Sequence, residues 1–245
     1  MLRINQTISD IPLKTTAGEF GTHDYYKDSW GLLVCYVSDF SAVCASELSR
    51  LASCYNEFKS RGVKILAMSC DPLETHLRWV EDVSKLCGIN KTDEFPFPIV
   101  SDRNRMLSLY LNVLDSKTVD QDGVPVPCRA TFVIAPDLSI QLIHFYPQTT
   151  GRNFDETLRS IDALKLSFDC NKDILTPCEW KPTKKCLISQ SLSKDVIDEK
   201  YSNSTIVKLP SGKEYYRLYQ QMENNRKFNR TIVILKLKML KHKTI

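Results

Sequence analysis

The sequence predicts an α/β domain built on a sheet whose faces are both covered. Short apolar runs of strand length alternate with stretches of helical periodicity, and the last two runs follow each other directly. This order is typical of α/β folds, and continuous apolar character is typical of strands in the interior of a sheet. The predicted strands are residues 31–37, 63–69, 97–100, 131–135 and 140–146.

Four stretches have the periodicity of amphipathic helices. In the first, apolar side chains at i, i+3, i+7 and i+10 share one face, namely Leu48, Leu51, Tyr55 and Phe58. The other three stretches are residues 75–87, 105–114 and 153–167. Together with the strands they form a domain that we expect to comprise residues 1–167.

The composition changes after residue 167, which predicts two further segments. Residues 168–220 contain Pro177, Pro182, two short strand-like pieces and a turn, and they indicate a small module of low helical content. Residues 221–245 interleave Lys with aliphatic residues, but the apolar part, 231–240, is too short and too charged to span a bilayer. An exposed basic strand, a membrane-surface segment and a disordered extension are all compatible with this tail, and we favour the last.

The net charge of +4 comes from the C-terminal tail. Residues 221–245 contain seven Lys or Arg and one Glu, a local charge of +6, so the rest of the chain carries +4 − 6 = −2. Because residues 1–220 are nearly neutral, their charge gives no reason to expect nucleic-acid binding.

The nine cysteines are odd in number, and no two of them have C-x-x-C spacing. Several lie in apolar runs, where a cysteine behaves as a small buried hydrophobic residue. Without paired spacing we expect no metal site. An odd, unpaired set suits a reducing compartment, and the N-terminus lacks the basic and apolar regions of a secretory signal. We therefore expect a cytoplasmic protein.

The stretch from Ser38 to Glu47 carries the most informative cysteine, because it leaves a predicted strand and enters a predicted helix. Ser41 is suited to be the N-cap, which places Cys44 three residues later in the first helical turn. The free N–H groups and the positive dipole end of the helix favour a thiolate there, and a thiolate is the reactive form of cysteine. A cysteine that only packs at a helix start is the alternative, and position alone favours that alternative.

Five ordered blocks of the sequence resemble the 1-Cys peroxiredoxins of the peroxiredoxin-6 subfamily. Similarity extends from about residue 4 to about residue 220, and the blocks TTGRNFDE and SDRNR are specific to that subfamily. The blocks are residues 27–47, 71–83, 95–115, 149–159 and 209–217. The resemblance implies a thioredoxin-like fold followed by a small C-terminal dimerisation module.

The resemblance also implies a role for each matching residue. Cys44 takes the position of the peroxidatic cysteine, and Arg129 that of the arginine that holds the thiolate and polarises the peroxide. Ser41 stands where the family has threonine and keeps the hydroxyl. Glu47 and Arg152 take positions in the supporting charged network. Without the resemblance, a surface helix charge and a cap contact would be the simpler interpretations of these last two residues.

The activity implied is a thiol-dependent peroxidase that reduces hydrogen peroxide and organic or lipid hydroperoxides. Such a protein needs no bound cofactor and relies on an external thiol reductant, glutathione or a thiol transferase. The resemblance implies a homodimer as well, and the apolar run 140–146 is an edge that is suited to pair across a two-fold axis.

Several residues depart from the subfamily pattern around the cysteine. Val37 replaces the proline of the motif, Tyr36 replaces a histidine, and Ser38 and Ala42 replace arginine and proline. A pocket without its proline is expected to be less preorganised. We therefore expect peroxidase activity that is weakened, with a degenerate, inactive paralogue as the alternative.

A second set of residues matches the phospholipase A2 activity associated with the same subfamily. Ser29, His23 and Asp137 stand at the positions of nucleophile, base and orienting acid. Lys27, however, occupies the first glycine position of the lipase-like motif, which disfavours a strained nucleophile elbow. A loop residue and a turn aspartate are simple interpretations of His23 and Asp137.

Overall fold

The computed structural model describes residues 2–89 and 95–220 of the 245-residue chain. The predicted C-terminal tail, 221–245, lies outside the described residues. The chain divides into two compact units between Phe154 and Asp155. The predicted domain boundary after residue 167, and the role of 168–220 as a dimerisation module, stay predictions.

The described residues of the first unit form nine strands and five helices. The strands are β1 (Pro12–Thr15), β2 (Gly18–Gly21), β3 (Trp30–Cys35), β4 (Val63–Ser69), β5 (Ile99–Ser101), β6 (Leu114–Val119), β7 (Pro125–Pro127), β8 (Arg129–Ile134) and β9 (Ile140–Tyr146). The helices are α1 (Thr22–Tyr26), α2 (Ala42–Ser53), α3 (Tyr55–Ser60), α4 (Leu73–Leu86) and α5 (Met106–Leu111).

Seven of these strands form one mixed sheet in the order β2-β1-β5-β4-β3-β8-β9, and β6 pairs with β7 separately. The pairs β3–β4 and β4–β5 are parallel, whereas β8 is antiparallel to both β3 and β9. All five predicted strands are confirmed. The run 140–146 forms an edge strand, β9, and most of its residues are only half-buried, so its apolar character does not reflect an interior position.

The centre of the sheet is buried on both faces, as continuous apolar runs require. Every residue of β3 and of β8 is buried, and the core on one face gathers around Leu33, Met68 and Phe132. The first predicted helix is interrupted at Cys54, which separates α2 from α3. The predicted apolar side chains on both sides of this interruption still face the core, since Leu48, Leu51 and Phe58 are fully buried.

The second unit contains α6 (Phe154–Asp169), β10 (Ile174–Leu175), β11 (Cys186–Ile188), α7 (Lys194–Lys200), β12 (Thr205–Ile206) and β13 (Arg217–Tyr219). Its four short strands form an antiparallel sheet in the order β10-β11-β13-β12. A small core surrounds Trp180, with Ile174, Ile188 and Tyr219 against it. Within residues 2–89 and 95–220, no helix has the length and apolarity that a membrane span requires.

Candidate active site

The junction between β3 and α2 places Cys44 at the start of a helix, as predicted. Ser41 has the extended backbone of an N-cap residue, and its carbonyl accepts a hydrogen bond from the Ala45 amide at 2.8 Å. The predicted capping by its side chain is not found, because the hydroxyl makes no capping hydrogen bond. Cys44 is the third residue of α2, where backbone N–H groups are unsatisfied within the helix, and its side chain is fully buried.

Arg129 brings a guanidinium group to the Cys44 thiol. It is the first residue of β8 and is buried, with Nη1 at 3.2 Å from the Cys44 Sγ. The same Nη1 donates to Glu47 Oε2 at 2.9 Å. Nε and Nη2 donate to the Gln148 carbonyl at 2.9 and 2.6 Å, so three nitrogens hold the guanidinium plane in one orientation.

Glu47 joins Arg129 to a second buried arginine, Arg152. Arg152 donates to both carboxylate oxygens of Glu47, through Nε to Oε1 at 2.9 Å and through Nη2 to Oε2 at 2.7 Å. Its Nη1 donates to the carbonyls of Cys35 and Ala130, at 2.9 and 2.8 Å. The structure therefore brings Glu47 and Arg152 into one network with Cys44 and Arg129, as the resemblance implied, and neither residue is a surface charge.

The charged groups of this network leave a net positive charge beside Cys44. Burial would raise the pKa of Glu47, but hydrogen bonds and the charge of Arg152, together with the charge of Arg129, lower that pKa overall. With Glu47 ionised, the two guanidinium groups and one carboxylate carry a net charge of +1 in a buried position. A thiolate at Cys44 would bring that total to zero, and its sulfur lies 3.2 Å from the Nη1 of Arg129.

Four other cysteines have environments that keep them as thiols. Burial is the largest cause that raises the pKa of Cys35, Cys70, Cys128 and Cys170, to about 11 for Cys70 and Cys170. Arg152 lowers the pKa of Cys35 without offsetting the effect of burial. Because the thiolate is the nucleophile, these four are poor competitors for Cys44.

The three residues of the possible lipase site make separate contacts. Among the described residues, no hydrogen bond joins any two of them: Ser29 Oγ donates to the Lys27 carbonyl at 3.2 Å, and His23 Nε2 lies 2.7 Å from the Ile8 carbonyl. Asp137 accepts hydrogen bonds from the Ser139 amide and hydroxyl, at the turn before β9. His23 lies in α1, so its prediction as a loop residue is wrong, whereas Asp137 lies in a turn as predicted. These separate contacts do not favour the hydrolase interpretation.

Sequence reasoning missed two parts of the site. Gln148 holds Arg129 through its backbone carbonyl, a function that any residue type supplies and that no side-chain pattern reveals. The other part is a buried group formed by Tyr36, Asp39 and His76 next to the loop that leads to Cys44. Within residues 2–89 and 95–220 there is no cluster of three or more His, Cys, Asp or Glu side chains suited to hold a metal ion.

Comparison with known proteins places this site in a defined class. The sequence profile of the AhpC/TSA family matches residues 4–143, more than half of the chain. The chain is 39% identical to peroxiredoxin-6 of Mus musculus and 40% identical to that of Bos taurus, in each case over 221 residues that make up 90% of this chain and 98% of the relative. The chain therefore belongs to the AhpC/TSA family and, within it, to the 1-Cys peroxiredoxins of the peroxiredoxin-6 type.

Solved structures agree with this assignment and with the thioredoxin-like fold. A crystal structure of a cysteine-to-serine mutant of peroxiredoxin 6 from Arenicola marina superposes with a TM-score of 0.86 at 35% identity, covering 91% of this chain and all of that one. The yeast mitochondrial 1-Cys peroxiredoxin gives a TM-score of 0.78 at 33% identity, covering 90% of this chain and all of that one.

The buried Glu47 carboxylate leads to a prediction about stability. Replacing Glu47 by Gln leaves two buried guanidinium groups without their counter-charge, which is expected to lower the free energy of unfolding at pH 7 by about 3–5 kcal/mol. Because the pKa of Glu47 is lowered in the folded state, its contribution is present above its unfolded pKa of about 4.3 and is lost as the pH falls through the folded value. We therefore expect the wild type to lose more stability than Glu47→Gln on acidification below that pH.

Urea unfolding between pH 7 and pH 3 measures both effects. Glu156→Gln is the matched control, because Glu156 forms a partly exposed ion pair with Arg159. Its replacement is expected to lower the free energy of unfolding by less than about 1 kcal/mol. Equal unfolding midpoints for the two variants at pH 7 would contradict the assigned role of Glu47.

Proposed function

We propose that this protein is a thiol-dependent peroxidase in which Cys44 reduces hydrogen peroxide and organic or lipid hydroperoxides. The observation that carries the proposal is the contact between Arg129 Nη1 and Cys44 Sγ at 3.2 Å, made in the first turn of a helix. A stabilised thiolate with a fixed guanidinium beside it is what attack on a peroxide requires.

The chemistry follows from the atoms that meet at this point. The Cys44 thiolate attacks one peroxide oxygen, so an S–O bond forms while the O–O bond breaks and Cys44 becomes a sulfenic acid. The leaving oxygen departs as hydroxide or alkoxide and takes up a proton. Arg129 stabilises the negative charge that develops on the oxygens, and the Ser41 hydroxyl, which makes no capping bond, is free to donate to the bound peroxide.

The sulfenic acid requires two external thiols to return to the thiol. The first forms a mixed disulfide with Cys44 and releases water, and the second displaces Cys44 as a thiolate. We propose glutathione or a thiol transferase as the reductant. The structure of the yeast 1-Cys relative was described in terms of thiol resolution through glutathione and thioredoxin systems, which supports this choice. The raised pKa values of Cys35, Cys70 and Cys128 also disfavour these three as an internal resolving thiol.

We further propose a cytoplasmic location and no nucleic-acid partner. Within residues 2–89 and 95–220 no cysteine is in a disulfide, which suits a reducing compartment. The body of the chain, outside residues 221–245, carries a charge of only −2 and offers no electrostatic reason to bind nucleic acid.

A pair of cysteine variants tests the peroxidase activity. Cys44→Ser is expected to abolish hydrogen peroxide consumption in the presence of excess dithiothreitol, because serine cannot supply the thiolate. Cys54→Ser is the matched control: Cys54 is also buried, follows the other end of α2, and its Sγ contact with the Leu51 carbonyl suits a hydroxyl. Equal peroxide consumption by wild type and Cys44→Ser would rule out the proposed reaction.

The source of the reducing thiol is tested by peptide mapping after one equivalent of peroxide. We expect a sulfenic acid on Cys44, or a mixed disulfide between Cys44 and glutathione when glutathione is present. Cys128→Ser is expected to give the same products, since Cys128 adjoins Arg129 in sequence but its raised pKa keeps it a thiol. A stoichiometric disulfide from Cys44 to Cys128, Cys170, Cys178 or Cys186 would instead identify a resolving cysteine.

We also propose a homodimer in which β9 pairs with its copy. The strand lies at the edge of the seven-stranded sheet, and only its first residue, Ile140, bonds on the outer side, to the backbone of Asn5 and Gln6, among the hydrogen bonds of the described residues. Phe145 on this strand is 53% exposed, although its ring packs edge-on against Phe132. Pairing across a two-fold axis would complete the sheet and cover this surface.

Sedimentation velocity at micromolar concentration tests the dimer. The wild type is expected at twice the 28.1 kDa chain mass, and Phe145→Lys is expected to shift it towards monomer, because the two-fold axis brings two like charges to the same interface. Leu86→Lys, on the exposed side of α4, is expected to remain dimeric. A wild type that sediments only as a monomer would count against the proposal.

A further inference from the structure

A group of three titratable side chains lies buried beside the loop that leads to Cys44. The Tyr36 hydroxyl donates to Asp39 Oδ1 at 2.8 Å, and His76 Nδ1 lies 2.7 Å from Asp39 Oδ2. Tyr36 and His76 are fully buried, and Asp39 is 8% exposed. Burial, and then the charge of Asp39, raises the pKa of Tyr36 well above its usual value, so the hydroxyl remains a donor.

His76 is fixed from both sides of its ring. Nε2 lies 3.2 Å from the Val100 carbonyl. Nδ1 lies 2.7 Å from Asp39 Oδ2. The Asp39 carboxylate is therefore engaged at both oxygens, by Tyr36, which directly follows β3, and by His76 on α4.

The main chain of Asp39 is held as well. Its amide donates to Asp71 Oδ2 at 2.9 Å, and the same oxygen accepts from Ser69 Oγ at 2.7 Å. The next residue, Phe40, has a φ of 51°, in the left-handed region that non-glycine residues seldom adopt. Ser41 follows as the N-cap of α2. The contacts of Asp39 thus fix the backbone just before a strained turn and the start of the helix.

This arrangement matters for the reaction because the two reacting groups are fixed by different parts of the fold. Arg129 is held by its place on β8 and by the Gln148 carbonyl. Cys44 is held at the start of α2, which directly follows the loop and which Glu47 also links to Arg129. A shift of the loop therefore changes the distance between Sγ and the guanidinium, and a displacement of about 1 Å at a reacting atom can cost about a hundredfold in rate.

We propose that Tyr36, acting through Asp39 and His76, is a positioning residue that sets the Cys44 thiolate against Arg129 for attack on peroxide. The inference rests on the proposed peroxidase function. Among the described residues no hydrogen bond joins Tyr36 to the reacting sulfur; its hydroxyl donates to the carboxylate that anchors the loop. Val37 replaces the motif proline, whose ring would fix the backbone angle φ at this position. The side-chain contacts of Asp39 supply a constraint on the loop that Val37 does not.

Tyr36→Phe tests this role, since it removes one hydroxyl and retains the ring that packs 5.4 Å from Trp79. Tyr26→Phe is the matched control, because Tyr26 is equally buried and its hydroxyl bonds the Leu32 carbonyl within the core. For each variant, mass spectrometry follows the rates at which Cys44 reacts with hydrogen peroxide and with iodoacetamide. Alkylation requires the thiolate but not the alignment of a peroxide with Arg129.

The ratio of the peroxide rate to the alkylation rate is expected to fall about tenfold in Tyr36→Phe, the equivalent of about 1.4 kcal/mol in the activation barrier. In Tyr26→Phe it is expected to stay within about twofold of the wild type. An unchanged ratio in Tyr36→Phe, or an equal fall in both variants, would overturn the proposal, because a general loss of stability moves both variants alike.

Amide hydrogen exchange of the peptide spanning residues 36–46 measures how firmly the loop before Cys44 is held, without the use of peroxide. Faster exchange in Tyr36→Phe than in Tyr26→Phe is the expected result, and equal exchange would overturn the anchoring of the loop. If the wild-type Cys44 fails to react with peroxide, the proposed peroxidase function fails, whereas the exchange measurement still decides whether Tyr36 fixes the loop.

Discussion

The structure of the site depends on one buried carboxylate, that of Glu47. Its two oxygens accept hydrogen bonds from Arg129 and Arg152, and all three side chains are almost completely buried. Two guanidinium groups at this depth without a counter-charge would be strongly unfavourable. Glu47 also lies three residues after Cys44 on α2, so that the two side chains share one face of the helix. The residue that balances the arginines therefore also places the thiol beside one of them.

The sheet determines where the arginines meet this carboxylate. Because β8 is antiparallel to β3, Ala130 pairs with Cys35, and the first residue of β8 lies next to the end of β3 where the chain turns towards α2. Arg152 donates to the carbonyls of both paired residues, Cys35 and Ala130, and so links the end of the strand pair to Glu47. The charged network therefore lies where the paired ends of β3 and β8 meet the start of α2.

The site also distinguishes Cys44 from four of the other eight cysteines. Burial raises the pKa of Cys35, Cys70, Cys128 and Cys170 and keeps them protonated, whereas Cys44 directly contacts a guanidinium. Although Val37 replaces the motif proline, the loop between β3 and α2 is still held in place. Asp39, held by Tyr36 and His76, anchors it through side-chain hydrogen bonds.

The sequence alone determined the features that are local in the chain. Apolar runs predicted five strands of the main sheet, and the polar stretch before Cys44 predicted a helix start at Ser41, because periodicity and capping depend on near neighbours. The family resemblance named Arg129, Glu47 and Arg152, but the residues by themselves favoured simpler roles for the last two. Tertiary structure alone decided that Arg129 reaches Cys44 across 85 positions and that Arg152 reaches Glu47 across 105. It also decided that β9 is an edge strand and that Tyr36 meets His76, since such contacts depend on strand order and helix packing, which local patterns do not encode.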